Sequence, residues 1–303
     1  MASPRSLDEI LDAARRRGTV TVVVACGQDG AALKALALAE ERGLARSILV
    51  GDAGQIGPAL DALPVRLKHT EIADAADEAS AVKRAVELVR SVEGQVLLKG
   101  KTQTGTLMKA VLDREAGLRT GRLLSDCFLV EVPDGDATRL VCITDGGINI
   151  APDREAKKQI LLNAVDLYHA LGFECPKVSC LTMVENVVKD HAPSEDAAAL
   201  CEMAARGELG ACDVEGPLSF DLSVSAEAVA KKGHKGPVAG RADILLCPDI
   251  ISANLLAKAT TYWCRWPLAH LVMGASKPVL IPSRSDTPEA KLYSIALGAL
   301  CAG

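Results

Sequence analysis

The first hundred residues alternate short β-branched runs with segments of helical periodicity, and this alternation constrains the fold more than any other feature. Val20-Thr21-Val22-Val23-Val24-Ala25 is apolar at nearly every position, as a strand buried on both faces requires. A helix follows with Leu33, Leu36, Ala37 and Glu40 at helical spacing, and Gly43 ends it. Ser47-Ile48-Leu49-Val50 reads as the next strand, closed by Gly51-Asp52, and Val65 to His69 as a third. A helix over about 77–91 leads into Val96-Leu97-Leu98-Lys99-Gly100. Strand–helix alternation of this kind predicts an α/β fold, a mostly parallel sheet covered by helices.

The pattern breaks between Leu123 and Thr144. Cys127 to Val132 and Leu140 to Thr144 are strand-like runs separated by Pro133-Asp134-Gly135-Asp136, which has turn chemistry. Strands joined by so short a turn pair antiparallel, so a second domain is expected to begin here. Pro152-Asp153 then opens a helix with Ile160, Leu161, Ala164, Val165, Tyr168 and Leu171 on one face, stopped by Gly172. Alternation resumes with a strand over 178–182, helices after Ser194 and Ser223, a strand over 242–247 and a helix from about Ile250. Pro278 to Ile281 and a C-terminal helix complete the chain.

Composition narrows the function. At 303 residues, 49% hydrophobic and with mean hydropathy +0.18, the chain has the aliphatic content for a large core. No apolar run approaches the roughly 18 residues of a membrane span, and the N-terminus lacks the layout of a signal peptide. A soluble, cytoplasmic protein without a membrane partner is expected. A net charge of −5 argues against nucleic-acid binding, and with 3% aromatic residues there is little to stack on single strands. Of ten cysteines, Cys26, Cys127, Cys142, Cys180 and Cys247 sit in aliphatic runs, where they read as small buried hydrophobes. There is no CxxC and no zinc-ligand spacing.

Several stretches can carry chemistry. Cys26-Gly27-Gln28-Asp29-Gly30 follows a strand but lacks the third glycine and the distant acid of a dinucleotide fingerprint. Lys99-Gly100-Lys101-Thr102-Gln103-Thr104-Gly105-Thr106 lies at a strand's carboxyl end and leads into a helix. Amides, hydroxyls and ammonium groups there suit a phosphate or acyl phosphate, though a solvated polar turn explains the same residues. Thr144-Asp145-Gly146-Gly147-Ile148-Asn149-Ile150 also ends a strand and opens a helix, with Asp145 and Asn149 able to orient a ligand or a loop. The basic cluster from Lys231 to Lys235 fits a helix end or a nucleotide phosphate. Pro282-Ser283-Arg284-Ser285-Asp286-Thr287-Pro288-Glu289 delivers a hydroxyl and a guanidinium to a strand's carboxyl end. Ser283 or Asp286 acting as a helix N-cap accounts for part of the same pattern.

Taken together, these stretches resemble the phosphate acetyl/butyryltransferase family. The resemblance runs from Gly27-Gln28-Asp29-Gly30 through Leu98-Lys99-Gly100, Gly117 to Gly121, Asn149 to Asp153, Glu215-Gly216-Pro217-Leu218 and Val238 to Leu245 to Ser283-Arg284 and Ser294 to Leu297. It implies the two-domain architecture of isocitrate and isopropylmalate dehydrogenases, with the active cleft between domains and a homodimer. It places the C-terminal strand and helix in the first domain, giving 1–126 with 271–303 and 127–270.

The chemistry implied is reversible: acyl-CoA and phosphate give acyl phosphate and CoA, with CoA as substrate and no obligatory metal or cofactor. By the resemblance Ser283 donates to the reacting group, Arg284 holds phosphate or anchors CoA, and Thr102 and Thr104 face the acyl phosphate. Asn149 is a further binding candidate. Lys109 stands about where acetyltransferases carry a phosphate-binding arginine, without the bidentate fork. The family's carboxylate base falls seven residues after the serine, where this chain has Ala290. Glu289 is adjacent, turned by about 100° on a helix, and Asp286 is a second candidate. The Ser-Arg-Ser-Asp wording, and the absence of an arginine-bearing insertion between Asp74 and Val96, favour butyryl or a similar small acyl group over acetyl. The alternatives are a non-catalytic acyl-CoA or acyl-phosphate binding protein, for which Ala290 argues, and another enzyme of the isocitrate dehydrogenase-like fold.

Overall fold

A computed structural model describes residues 3–91 and 96–302; the first two residues of the N-terminal reading lie outside them. The chain divides into two compact units. A terminal unit comprises residues 7–122 and 268–303, and a central unit comprises residues 123–267 with residues 3–6.

The terminal unit opens with α1 (Leu7–Arg17), β1 (Val20–Ala25), α2 (Gly30–Glu41), β2 (Ala45–Gly51) and α3 (Ala53–Asp61). It continues with β3 (Thr70–Asp74), α4 (Glu78–Ser91), β4 (Val96–Lys99) and α5 (Thr104–Val111). The third strand therefore lies at 70–74 and not at the expected 65–69. β3 is a sheet edge with no buried residue, so no apolar run marks it.

The central unit carries β5 (Ser125–Asp134) and β6 (Ala137–Thr144), paired antiparallel across the Gly135 turn as the sequence predicts. α6 (Arg154–Ala170), β7 (Lys177–Leu181), α7 (Ala192–Ala205) and β8 (Asp213–Leu218) follow. Then come α8 (Phe220–Val224), α9 (Ala226–Lys232), β9 (Ile244–Leu246) and α10 (Ile250–Ala259), which ends in a π-helical turn over Thr260–Cys264. Strand order is β5-β6-β9-β7-β8, parallel except for the β5–β6 hairpin. The chain then returns to the terminal unit with β10 (Leu268–Met273), β11 (Val279–Leu280) and α11 (Pro288–Cys301).

The terminal sheet runs β3-β2-β1-β4-β11-β10, with only β10 antiparallel to its neighbour. Its middle is made of side chains with no exposure, including Val22, Val24, Leu97 and Leu98. α11 packs against α1 and α2, and α4 against α5. Each buried valine or leucine contributes roughly 1.5–3 kcal/mol, and Leu97→Ala would cost about 2–5 kcal/mol. The ten cysteines are all free thiols, and the five in aliphatic runs are buried. Burial raises the Cys26 thiol to about 11 and the Cys247 thiol to about 12. Among the described residues no helix is long and apolar enough to cross a membrane.

Candidate active site

In the terminal sheet the chain leaves β1 toward β2 on one side and reaches β4 on the other. Loops at such a switch point diverge, and open α/β sheets take ligands in the crevice they leave. Ala25 of β1 is level with Lys99 of β4, and Leu98 is level with Leu280 of β11. Three loops, 26–29, 100–103 and 281–287, thus leave adjacent strands at the same edge. The first two are stitched together: the N–H of Gly100 donates to Ala25 O and that of Lys101 to Cys26 O, each at 2.9 Å. A Cβ at Gly100 would collide with those carbonyl oxygens, so this crossing requires glycine.

The loop from β11 to α11 is held by two buried charges. Asp286, 8% exposed, accepts the Ser283 N–H at 2.7 Å, and its Oδ2 lies 3.5 Å from His270 Nε2. Lys291, 3% exposed, donates from Nζ to the carbonyls of Ser283 (2.8 Å) and Asp286 (3.1 Å). Burial lowers the Lys291 pKa, opposed by Asp286 and Asp29. The N-cap of α11 is neither Ser283 nor Asp286 but Thr287, which accepts the Ala290 N–H at 3.2 Å, with Pro288 in the first turn. Asp286 instead caps the loop itself. With the backbone fixed, Ser283 is half-buried with its Oγ 3.0 Å from Ser285 Oγ, while Arg284 and Glu289 are exposed.

From β4, the Thr102 hydroxyl, 3% exposed, donates to Glu78 Oε1 at 2.6 Å, holding that carboxyl below its usual range. Thr104 is exposed in the first turn of α5. Lys109 lies in the last turn of α5, some 7.5 Å further along the axis by helix geometry. There it lines a cavity of ≈ 800 Å³ with Val82 and Lys83 of α4. The edge thus brings together Ser283, Arg284, Asp286, Glu289, Thr102 and Thr104, and Lys109 stands apart from them on α5.

Asn149 belongs to the central unit. Its Nδ2 donates to Leu124 O (2.8 Å) and Asp145 Oδ2 (2.5 Å), and Asp145 also accepts the N–H groups of Asp126, Gly147, Ile148 and Asn149. The helix that Pro152-Asp153 is expected to open starts at Arg154, capped by Asp153. The basic cluster is a helix end: Gly233 adopts φ +64° at the cap of α9, Lys231 pairs with Glu227, and Lys232 with Glu185 and Asp221.

Two residues at the edge carry no role in the sequence reading. Lys291 and His270 are invisible as partners until α11 and β10 fold against the loop. Lys99, whose ammonium the sequence offers to a phosphate along with the rest of its loop, is 7% exposed, and its Nζ has no hydrogen-bond or ion-pair partner among the described residues. An ammonium closing an apolar strand was the one available signal.

The sequence matches the family described as phosphate acetyl/butaryl transferase over residues 69–299. It is 39% identical over 298 residues to a phosphate butyryltransferase of Clostridium beijerinckii, covering 98% of each chain. It is equally 39% identical over 301 residues to a phosphate acetyltransferase of Rhizobium meliloti, covering 99% of this chain and 95% of that one. Its backbone superposes on a crystal structure of a branched-chain phosphotransacylase from Enterococcus faecalis with a TM-score of 0.80 at 31% identity, over 93% of this chain and 99% of that chain. With a match over most of its length, the chain belongs to the phosphate acetyl/butyryl transferase family.

Proposed function

We propose that this protein is a phosphate acyltransferase that moves a short acyl group reversibly between CoA and inorganic phosphate, with butyryl or a similar small acyl preferred over acetyl. The observation that carries the reading, beyond family membership, is the convergence of outward-facing donors at one sheet edge. Arg284 is exposed and Ser283 half-exposed on a loop whose backbone is already satisfied by Asp286 and Lys291. Arginine offers phosphate a fixed fork, and a serine hydroxyl can donate to a carbonyl oxygen as it gains charge.

In the acyl-phosphate direction a phosphate oxygen attacks the thioester carbonyl, a C–O bond forms, the C–S bond breaks and the thiolate leaves as CoA. In reverse, the CoA thiol must lose its proton before attack; a free thiol with pKa near ~8.5 is only partly ionised, so a base accelerates the step. Of the two carboxylate candidates, Glu289 is exposed beside the loop and suits that role. Asp286 is already committed to the Ser283 amide and His270, which suits a positioning role. Thr104 is an open hydroxyl toward the acyl phosphate, with Thr102 behind it; Lys109 and Asn149 are secondary binding candidates. The acyl preference rests on the Ser-Arg-Ser-Asp wording and the missing insertion between Asp74 and Val96, since butyryl- and acetyltransferases are equally similar over the whole chain.

A homodimer is the expected assembly. Ile251 and Leu255 on one face of α10, with Tyr262 and Trp263 on the turn after it, leave an apolar surface in which Trp263 is 87% exposed. The second reading, a non-catalytic binding protein, draws on Ala290, which is buried in α11 where the family has its carboxylate. Phosphate-dependent release of CoA from acetyl-, propionyl-, butyryl- and isobutyryl-CoA, followed with a thiol reagent, separates the two. Release that requires phosphate and is fastest for the four-carbon thioesters is expected. CoA binding without release from any thioester would leave the binding protein or another enzyme of the same fold.

A further inference from the structure

We propose that Lys99 binds the phosphoryl group of the substrate, inorganic phosphate in one direction and acyl phosphate in the other, together with Arg284. The inference deepens the acyltransferase reading and rests on it. Lys99 ends β4 at the sheet edge, level with Ala25 and one step before the loop that crosses Cys26. Its side chain is more than nine-tenths buried, yet its ammonium has no hydrogen bond or ion pair among the described residues. The stem is covered while the ammonium itself is not shut away from solvent, so an unpaired charge is presented at the sheet edge.

The charged groups acting on Lys99 come from each neighbouring element: Asp29 after β1, Arg284 and Asp286 after β11, and Lys291 of α11. Burial lowers its pKa most; Arg284 and Lys291 lower it further, and the two carboxylates oppose them. Neither carboxylate is within ion-pair distance. Asp29 caps α2 by accepting the Ala32 N–H at 2.8 Å, and Asp286 is held by Ser283 and His270. Lys291 spends its ammonium on two carbonyls. Of the charged groups acting on Lys99, the two carboxylates are committed elsewhere, which leaves Lys99 and the exposed Arg284 as uncommitted donors. A phosphoryl dianion matches that charge and accepts from an ammonium and a guanidinium at once. A lysine kept only for packing would be better served by methionine.

CoA carries phosphates of its own, so the test separates the two sources. Lys99→Met and Lys99→Arg are compared with the unaltered protein in two assays: phosphate-dependent CoA release, and thermal unfolding with millimolar inorganic phosphate or with CoA alone. Lys99→Met should raise the KM for phosphate by about tenfold or more while changing the KM for acyl-CoA by less than about threefold, and Lys99→Arg should recover much of the loss. Phosphate should stabilise the unaltered protein and not Lys99→Met, whose unfolding temperature without phosphate should be no lower. An unchanged KM for phosphate in Lys99→Met, or a weakening of CoA in place of phosphate, overturns the proposal. Lys99-dependent stabilisation by phosphate without turnover upholds this site and overturns the acyltransferase. Turnover whose phosphate dependence ignores Lys99 does the reverse.

Discussion

Two loops of this molecule are built on the same device and finish differently. In the central unit, Asp145 sits at the carboxyl end of β6 and gathers the amides of its own loop, and the Asn149 amide closes on it as well. In the terminal unit, Asp286 gathers the Ser283 amide while Lys291 ties down two carbonyls of the same loop. The Asp145 loop turns the amides of Gly147, Ile148 and Asn149 and the Asn149 side chain inward, onto its own carboxylate and the Leu124 carbonyl. The Ser283 loop spends its buried residues on the backbone and leaves a hydroxyl and a guanidinium facing outward. A carboxylate at a strand's end therefore marks an ordered loop, and a site is marked by what that ordering leaves uncommitted.

The sharpest way to break this comparison is Arg284→Ala. Phosphate-dependent release should fall by about 10²–10³ with no change in thermal unfolding, because the side chain is exposed and holds no part of the loop. Normal kinetics in that variant would take Arg284 out of the site. Glu289→Gln should follow with a loss of about a hundredfold in kcat, the low end of what a positioned base supplies; full activity would leave the base elsewhere.

Asp286→Asn should cost roughly tenfold in kcat with little change in either KM, since the amide oxygen still accepts from Ser283 while the charge beside His270 is gone. A loss as large as that of Glu289→Gln would make Asp286 the better base. Asp145→Asn should leave turnover nearly intact and cost about 1–3 kcal/mol of stability through imperfectly matched amides. Burial, then Asp126, raises the Asp145 pKa above 3.8, so the folded state holds that proton longer than the unfolded chain. The contribution of Asp145 to stability must then fall as pH rises from 3.8 through its raised value. Denaturant titrations of the two proteins across that range should show the fall in the unaltered protein alone. The smallest expected effect is from a chelator, which should leave CoA release unchanged.

The interior of the fold was legible because it is apolar on both faces. β1 has the bounds its valines predict, and β4 covers the Val96–Lys99 run. The edges were not. β3 carries Thr70, Glu71 and Asp74, and β8 carries Asp213, Glu215, Gly216 and Pro217, compositions that a half-exposed edge tolerates and a hydrophobic pattern does not reveal. At the site, the Ser283–Arg284 step could be read from its place after an apolar run and before a helix. The roles of Asp286 and Lys291 could not, because both depend on how α11 turns back onto the loop. Lys99 was hidden for a related reason: nothing in Leu98-Lys99-Gly100 says that the lysine is covered, since the groups around it come from residues near 29, 284 and 291.

The interrupted path of the terminal unit has a consequence for how the protein is made. β4 keeps one edge unpaired until β11 arrives, and β11 with its loop lies within the last 25 residues of the 303. During synthesis, which proceeds at about 5–20 residues per second with N-terminal parts folding first, the residues of the central unit are all joined before Ser283 exists. A chain that stops short of β11 has an intact central sequence and an open strand edge on β4 in its first unit. Such a product lacks Ser283 and Arg284 and exposes the β4 edge as a template for aggregation.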